Sequence, residues 1–161
     1  MSGDLIVQLR EMMELPEETE CIEFKEAKND YGFDKIGKYF SALSNEANLH
    51  GKPAGWLIFG VTDKLPRKIV GSNYRLTPPG LDRLKEEIAQ HTNHRITFVA
   101  VHNLAVDEKR VVMFEIPPAP RGVPTTWNGA AYGRIHESLG PLLSMRLKRY
   151  AGRLLRMTGR R

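Results

Sequence analysis

Cysteine is almost absent from this chain of 161 residues, with Cys21 the single example. An internal disulfide is therefore excluded, and so is a metal site built on several cysteines. A reducing compartment fits best, so a cytoplasmic location is expected. Long apolar runs are also missing. No stretch reaches the roughly eighteen residues of a membrane span, and no membrane partner is expected. The start, Met1-Ser-Gly-Asp4-Leu-Ile6, has an early acid and no basic region ahead of an apolar run, unlike a secretory signal. Three phosphate and nucleophile motifs are absent too. There is no G-x-x-x-x-G-K-[ST] loop, no G-x-G-x-x-G after a strand, and no G-x-S-x-G. These absences argue against an ordinary nucleotide-hydrolysing switch and a serine hydrolase.

One region combines a high density of basic residues with no acid. Residues 146–161 hold Arg146, Lys148, Arg149, Arg153, Arg156, Arg160 and Arg161 with no acid. The other 145 residues hold 17 basic and 19 acidic side chains, so the net charge of +5 resides in the tail. Such a tail favours phosphate-rich partners through counterion release, or is simply a solvated terminus.

The hydrophobic fraction of 41% suits one globular domain with a real core. We read residues 1–145 as that domain and 146–161 as a basic C-terminal helix or tail. Leu5, Ile6, Leu9 and Met12 or Met13 recur at helical spacing, and Pro16 closes that helix. Residues 21–25 alternate, with Ile22 and Phe24 on one face and Cys21, Glu23 and Lys25 on the other. Asp34 is the expected cap of a second helix, whose stripe is Ile36, Tyr39, Phe40, Leu43 and Ala47. Trp56 to Val61 is an apolar run suited to a strand covered on both faces. A hairpin through Thr62–Arg67 leads to Lys68-Ile-Val70. A helix is expected over 81–91, strands near 95–102 and 109–116, a short strand at 130–133, and a last helix over 142–157. Strands that are partly consecutive hairpins predict an α/β (α+β) fold with a mixed sheet flanked by helices.

Two strings carry the candidate chemistry. Glu18-Thr-Glu-Cys-Ile-Glu-Phe-Lys25 and Gly55-Trp-Leu-Ile-Phe-Gly-Val-Thr-Asp63 put Glu18, Glu23 and Asp63 within reach of one another. Three such acids can hold a hard cation, pair with basic groups, or be solvated. Lys25 shares a strand face with Glu23 and could contact a phosphate, or could form an exposed charge pair with it. Asp63 suits a turn equally well. Trp127, in the turn Pro124-Thr-Thr-Trp-Asn-Gly129, is the candidate exposed aromatic for stacking on a base.

From Glu17 to Ser138 the chain resembles the Schlafen-type AlbA-like domain family, formerly labelled "divergent AAA". The resemblance rests on Glu18-x-x-x-x-Glu23-Phe-Lys25, Ala42-Leu-Ser-Asn45, Gly55-Trp-Leu-Ile-Phe-Gly-Val61 with Asp63, and Lys68-Ile-Val-Gly71. It continues in Val111-Val-Met-Phe-Glu-Ile-Pro117, Pro124, and Tyr132-Gly-Arg134 with Glu137-Ser-Leu139. It departs in the longer break at 45–55 and in Ile135-His136. The resemblance implies a nucleic-acid-binding protein, DNA or RNA, of transcriptional-regulator type. The candidate nucleic-acid-binding residues are Lys25, Trp127 and Arg134 within that stretch and, on charge alone, Arg146, Lys148, Arg149, Arg153 and Arg156 of the tail. The alternative it implies is an endoribonuclease. There Glu18, Glu23 and Asp63 would be catalytic and would hold Mg²⁺ or Mn²⁺. It also implies a homodimer, since related proteins set two such lobes side by side and this chain has one.

Overall fold

The alternation at 21–25 and the apolar run after Gly55 become neighbouring strands. The computed structural model describes residues 2–16, 21–77, 80–135 and 138–142. Strand β1 (Ile22–Lys25) pairs parallel with β2 (Gly55–Phe59), Glu23 opposite Leu57 and Lys25 opposite Phe59. β2 pairs antiparallel with β4 (Lys109–Ile116), and β4 with β3 (Ala100–Val106), giving the order β1-β2-β4-β3. The parallel pair is joined by α2 (Phe33–Leu49), as a parallel connection requires.

Both faces of this mixed sheet are covered. Helix α1 (Ser2–Met13) lays Leu9 and Met12 over Phe24, Ile58, Val111 and Met113. Helices α2 and α3 (Leu84–Ala89) cover the other face. There Ile36, Phe40, Leu43, Leu84 and Ile88 pack with Leu57, Phe59, Val112 and Phe114. Every member of the expected α2 stripe is buried. Phe40 and Phe98 meet edge to face at 5.1 Å, an arrangement that adds about 0.5–1.5 kcal/mol beyond area burial.

A second, antiparallel sheet of β5 (Thr126–Trp127), β6 (Ala130–Ile135) and β7 (Ser138–Pro141) packs on α2. Polar groups hold the junction. Asn45 accepts from the Thr125 N–H at 2.7 Å and donates to the carbonyls of Thr125 and Tyr132 at 3.0 and 2.9 Å. Ser41 donates to the Thr125 carbonyl at 2.7 Å and accepts from the Tyr132 N–H at 2.9 Å. These side chains are buried, so the seam stays intact only while each group is satisfied.

Several boundaries differ from expectation. The segment expected as a helix over 81–91 opens as a 3₁₀ turn (Gly80–Arg83) before α3. It closes where the His91 N–H bonds back to Ile88. β3 starts at Ala100 rather than near 95, because Asn93–Arg95 form a second 3₁₀ turn. Asn93 anchors that turn, donating to the Pro124 carbonyl and accepting from the Thr126 N–H. Asp34 is not the cap of α2: Gly32 stands there, and Asp34 lies in the first turn. The β3–β4 turn is Asp107-Glu108, both at positive φ, the type I′ geometry that suits a two-residue hairpin. The helix expected over 142–157 lies almost wholly outside the described residues, as does the tail at 146–161.

Candidate functional site

Glu23 sits in the middle of β1 on the α2 side of the sheet and is 3% exposed. Period two sends Ile22 and Phe24 to the α1 side and leaves Glu23 and Lys25 facing α2. A carboxylate taken this far out of water needs compensation. Arg134, from β6, supplies it: Nη2 donates to Glu23 Oε1 at 2.6 Å, and Nη1 to the Ile22 carbonyl at 3.0 Å. Lys25 adds a second cation, its Nζ 3.1 Å from Glu23 Oε2. Arg134 is 1% exposed, and its own N–H donates to Glu46 Oε2 at 3.0 Å. Glu46 is fully buried on α2, with His50 Nε2 3.4 Å from its other oxygen.

The surroundings reinforce the pairing. Lys25 Nζ lies 5.4 Å from the centre of the Tyr39 ring. Partial burial pulls the Lys25 pKa down, but Glu23 and the two tyrosines outweigh it and hold the ammonium above its ordinary range. Burial pushes Tyr31 up to about 12, Lys25 opposing and Tyr39 and Glu23 adding to the shift. Tyr39 is raised as well, by burial first and Glu23 second. The cluster stabilises protonated phenols and a charged lysine around one carboxylate.

The other expected site residues fall elsewhere. Asp63 is exposed in the turn after β2, and its carbonyl accepts from Arg67 Nε at 3.2 Å. Arg67 also donates to the carbonyls of Met13 and Leu15, and its guanidinium lies 4.8 Å from the Phe24 ring. That turn is therefore held from the α1 side, while Glu23 is committed on the α2 side. Glu18 lies outside the described residues. Among the described residues no three His, Cys, Asp or Glu side chains group to hold a metal ion. The described residues thus do not assemble the expected Mg²⁺ or Mn²⁺ site.

Trp127 corrects an expectation. The indole is 2% exposed and is no stacking platform. It packs against Gly37, where an added Cβ would overlap the ring, and meets Phe33 edge to face at 5.4 Å. Its Nε1 donates to Asp34 Oδ1 at 2.8 Å. That hydrogen bond, with Lys38 in support, holds the Asp34 carboxyl below its usual value. Arg134 likewise corrects an expectation, since a guanidinium buried on Glu23 is not offered to a phosphate. Arg146, Lys148, Arg149, Arg153 and Arg156 lie outside the described residues. Cys21 is buried, as a structural cysteine should be. Sequence reasoning missed Glu46 and Asn45 as structural polar groups. Their available signal was position: Ser41, Ser44 and Asn45 repeat at helical spacing beside the apolar stripe.

The family model described as Schlafen, AlbA_2 matches residues 18–142. The chain belongs to the Schlafen AlbA_2 family. One solved structure supports the fold, and a second is similar more weakly. The DIP2311 protein from Corynebacterium diphtheriae aligns over 87% of this chain and 26% of its own, at 20% identity and a TM-score of 0.54. This chain thus spans only about a quarter of that protein's length. The N-terminal domain of a RecG-related protein from Nitrosomonas europaea aligns over 84% of this chain and 88% of its own, at 21% identity and a TM-score of 0.47. Comparison with curated proteins finds no match. Among the described residues no helix of this Schlafen domain is long and apolar enough to cross a membrane.

Proposed function

We propose that this Schlafen AlbA_2 protein binds nucleic acid and acts as a regulator rather than a nuclease. The family is associated with nucleic-acid binding, and its model covers most of the chain, which is the observation that carries the proposal. The acid-free tail supports it. Seven cations in sixteen residues can each displace a counterion from a phosphate, whatever the base sequence. Binding is favoured over cleavage by the state of Glu23. A carboxylate already neutralised by Arg134 and Lys25 has little left to offer a divalent cation. A homodimer would bring two tails onto one polymer and raise affinity through effective concentration.

A gel-shift series tests this. The full chain is incubated with labelled tRNA, single-stranded RNA and duplex DNA, in Mn²⁺ or in EDTA. Expected is a shift that persists in EDTA with intact probe. Cleavage that requires Mn²⁺ would replace the proposal with the endoribonuclease alternative. Absence of both shift and cleavage at low salt would remove both.

A further inference from the structure

Lys25 and Arg134 are both spent on Glu23, and a cation already paired gains little from a phosphate. Cations that face an open groove lie at another place. β1 and β2 run parallel, and ligands of open α/β sheets gather beyond the carboxyl ends of such strands. The segments leaving those ends, 26–31 and 60–72, converge there. The β3–β4 turn joins them, because β4 runs antiparallel to β2 and starts where β2 finishes. Between these segments is a groove of about 520 Å³ whose lining includes Lys28, Asn29, Asn73, Lys109 and Arg110.

The groove is built rather than incidental. Three bonds tie its walls together: the Asn73 N–H to the Lys28 carbonyl at 2.7 Å, Ser72 Oγ to the Ala27 carbonyl at 2.6 Å, and the Ser72 N–H to the Arg110 carbonyl at 2.9 Å. Arg110 is fixed by its own donors. Nη1 binds the carbonyls of Ser72 and Tyr74 at 3.1 and 2.7 Å, and Nε binds Asn103 Oδ1 at 2.9 Å. Among the described residues its Nη2 makes no hydrogen bond, which leaves that end for a ligand. Lys109 spans toward the opposite wall, with Nζ 3.4 Å from the Ile69 carbonyl, and Lys28 is 72% exposed. Gly71, at φ +87°, also lines the groove, in a backbone conformation that disfavours a side chain. Acids are present but fewer: Glu108 lines the groove and Glu26 lies 3.7 Å from Lys28. Three cations against two carboxylates leave a positive groove with amide donors from Asn29 and Asn73.

We propose that this groove holds the phosphodiester backbone of a nucleic-acid strand, Lys28 and Lys109 contacting successive phosphates and Arg110 acting as the fixed donor between them. This rests on the nucleic-acid reading above and gives it a place on the folded domain. Contacts of this kind position a strand without reading its sequence.

The test is fluorescence anisotropy of the full chain with labelled single-stranded RNA and, separately, duplex DNA, across a salt series. The variant Lys28→Gln/Lys109→Gln removes two exposed charges, and an unchanged melting temperature shows that the fold is kept. Lys52→Gln/Lys64→Gln, exposed and outside the groove, is the charge-matched control. If two phosphate contacts are lost, the log–log salt slope becomes shallower by about 1.4 on single strands or about 1.8 on duplex. Affinity near 0.1 M salt then falls by an order of magnitude or more. The polymer on which this appears identifies the source of the phosphates. A groove variant that binds like wild type, or loses no more than the control, overturns the groove and leaves the nucleic-acid reading standing. Wild type that binds neither polymer overturns both.

Discussion

Replacing Arg134 by methionine should cost the domain about 3 kcal/mol of stability. The guanidinium donates to Glu23 at 2.6 Å and to the Ile22 carbonyl at 3.0 Å, and both Arg134 and Glu23 are sheltered from water. Removing one member of a buried ion pair typically costs about 3–5 kcal/mol, because the remaining charge is left poorly compensated. Lys25 stays 3.1 Å from the other Glu23 oxygen, which puts the loss toward the low end. With an m-value of about 2 kcal/mol/M, the urea midpoint should fall by about 1.5 M. The melting temperature should fall by roughly 6–12 °C for a chain of this size. Adding Glu23→Gln to Arg134→Met removes the stranded charge and should restore a large part of the loss. The two substitutions are therefore strongly non-additive in a double-mutant cycle. Strict additivity, or a loss below about 0.5 kcal/mol for Arg134→Met, would refute the coupling of β6 to β1 through this pair.

Three further outcomes follow from the structure. Gly37→Ala forces a methyl into the Trp127 indole and should destabilise by about 1–3 kcal/mol, read as a lower thermal midpoint. High pH should unfold the domain early: burial holds the Tyr31 phenol protonated up to about 12, and the Lys25 ammonium is also raised. Both groups support the fold fully below their unfolded values and lose that support as pH climbs past 10, so urea midpoints should drop there while an ultraviolet titration shows late-ionising tyrosines. Replacing the seven basic residues of 146–161 by glutamine should weaken nucleic-acid affinity and flatten its salt dependence, measured by anisotropy; an unchanged slope would show that the tail makes no phosphate contact.

Local pattern carried much of the fold. Ile22 and Phe24 against Glu23 and Lys25 marked β1 and its two faces. The run from Trp56 marked a strand buried on both sides, and Ile36 to Ala47 marked the inner stripe of α2. What stayed hidden depends on residues far apart in the chain. Glu23 and Arg134 are separated by 111 positions, and no periodicity links them. Asp34 has the chemistry of a helix cap, yet its oxygen receives the indole N–H of a residue 93 positions away. For the same reason Trp127, in a turn-rich segment that reads as exposed, is covered by α2. The candidate groove was equally illegible, because Lys28, Gly71 and Lys109 come together only through the order β1-β2-β4. Glu18 and the tail cations are legible in sequence and fall outside the described residues.

Lysine footprinting by acetylation and mass spectrometry, with and without single-stranded RNA, is the most direct test of where nucleic acid sits. If phosphates meet the exposed cations of the groove, Lys28 and Lys109 should react readily in the free protein and be protected by RNA, together with Lys148. Lys25, half-buried against Glu23 and Tyr39, should react slowly and equally in both states. Protection of Lys25 by RNA while Lys28 and Lys109 stay unchanged would contradict this, and would place the polymer at the Glu23 cluster instead.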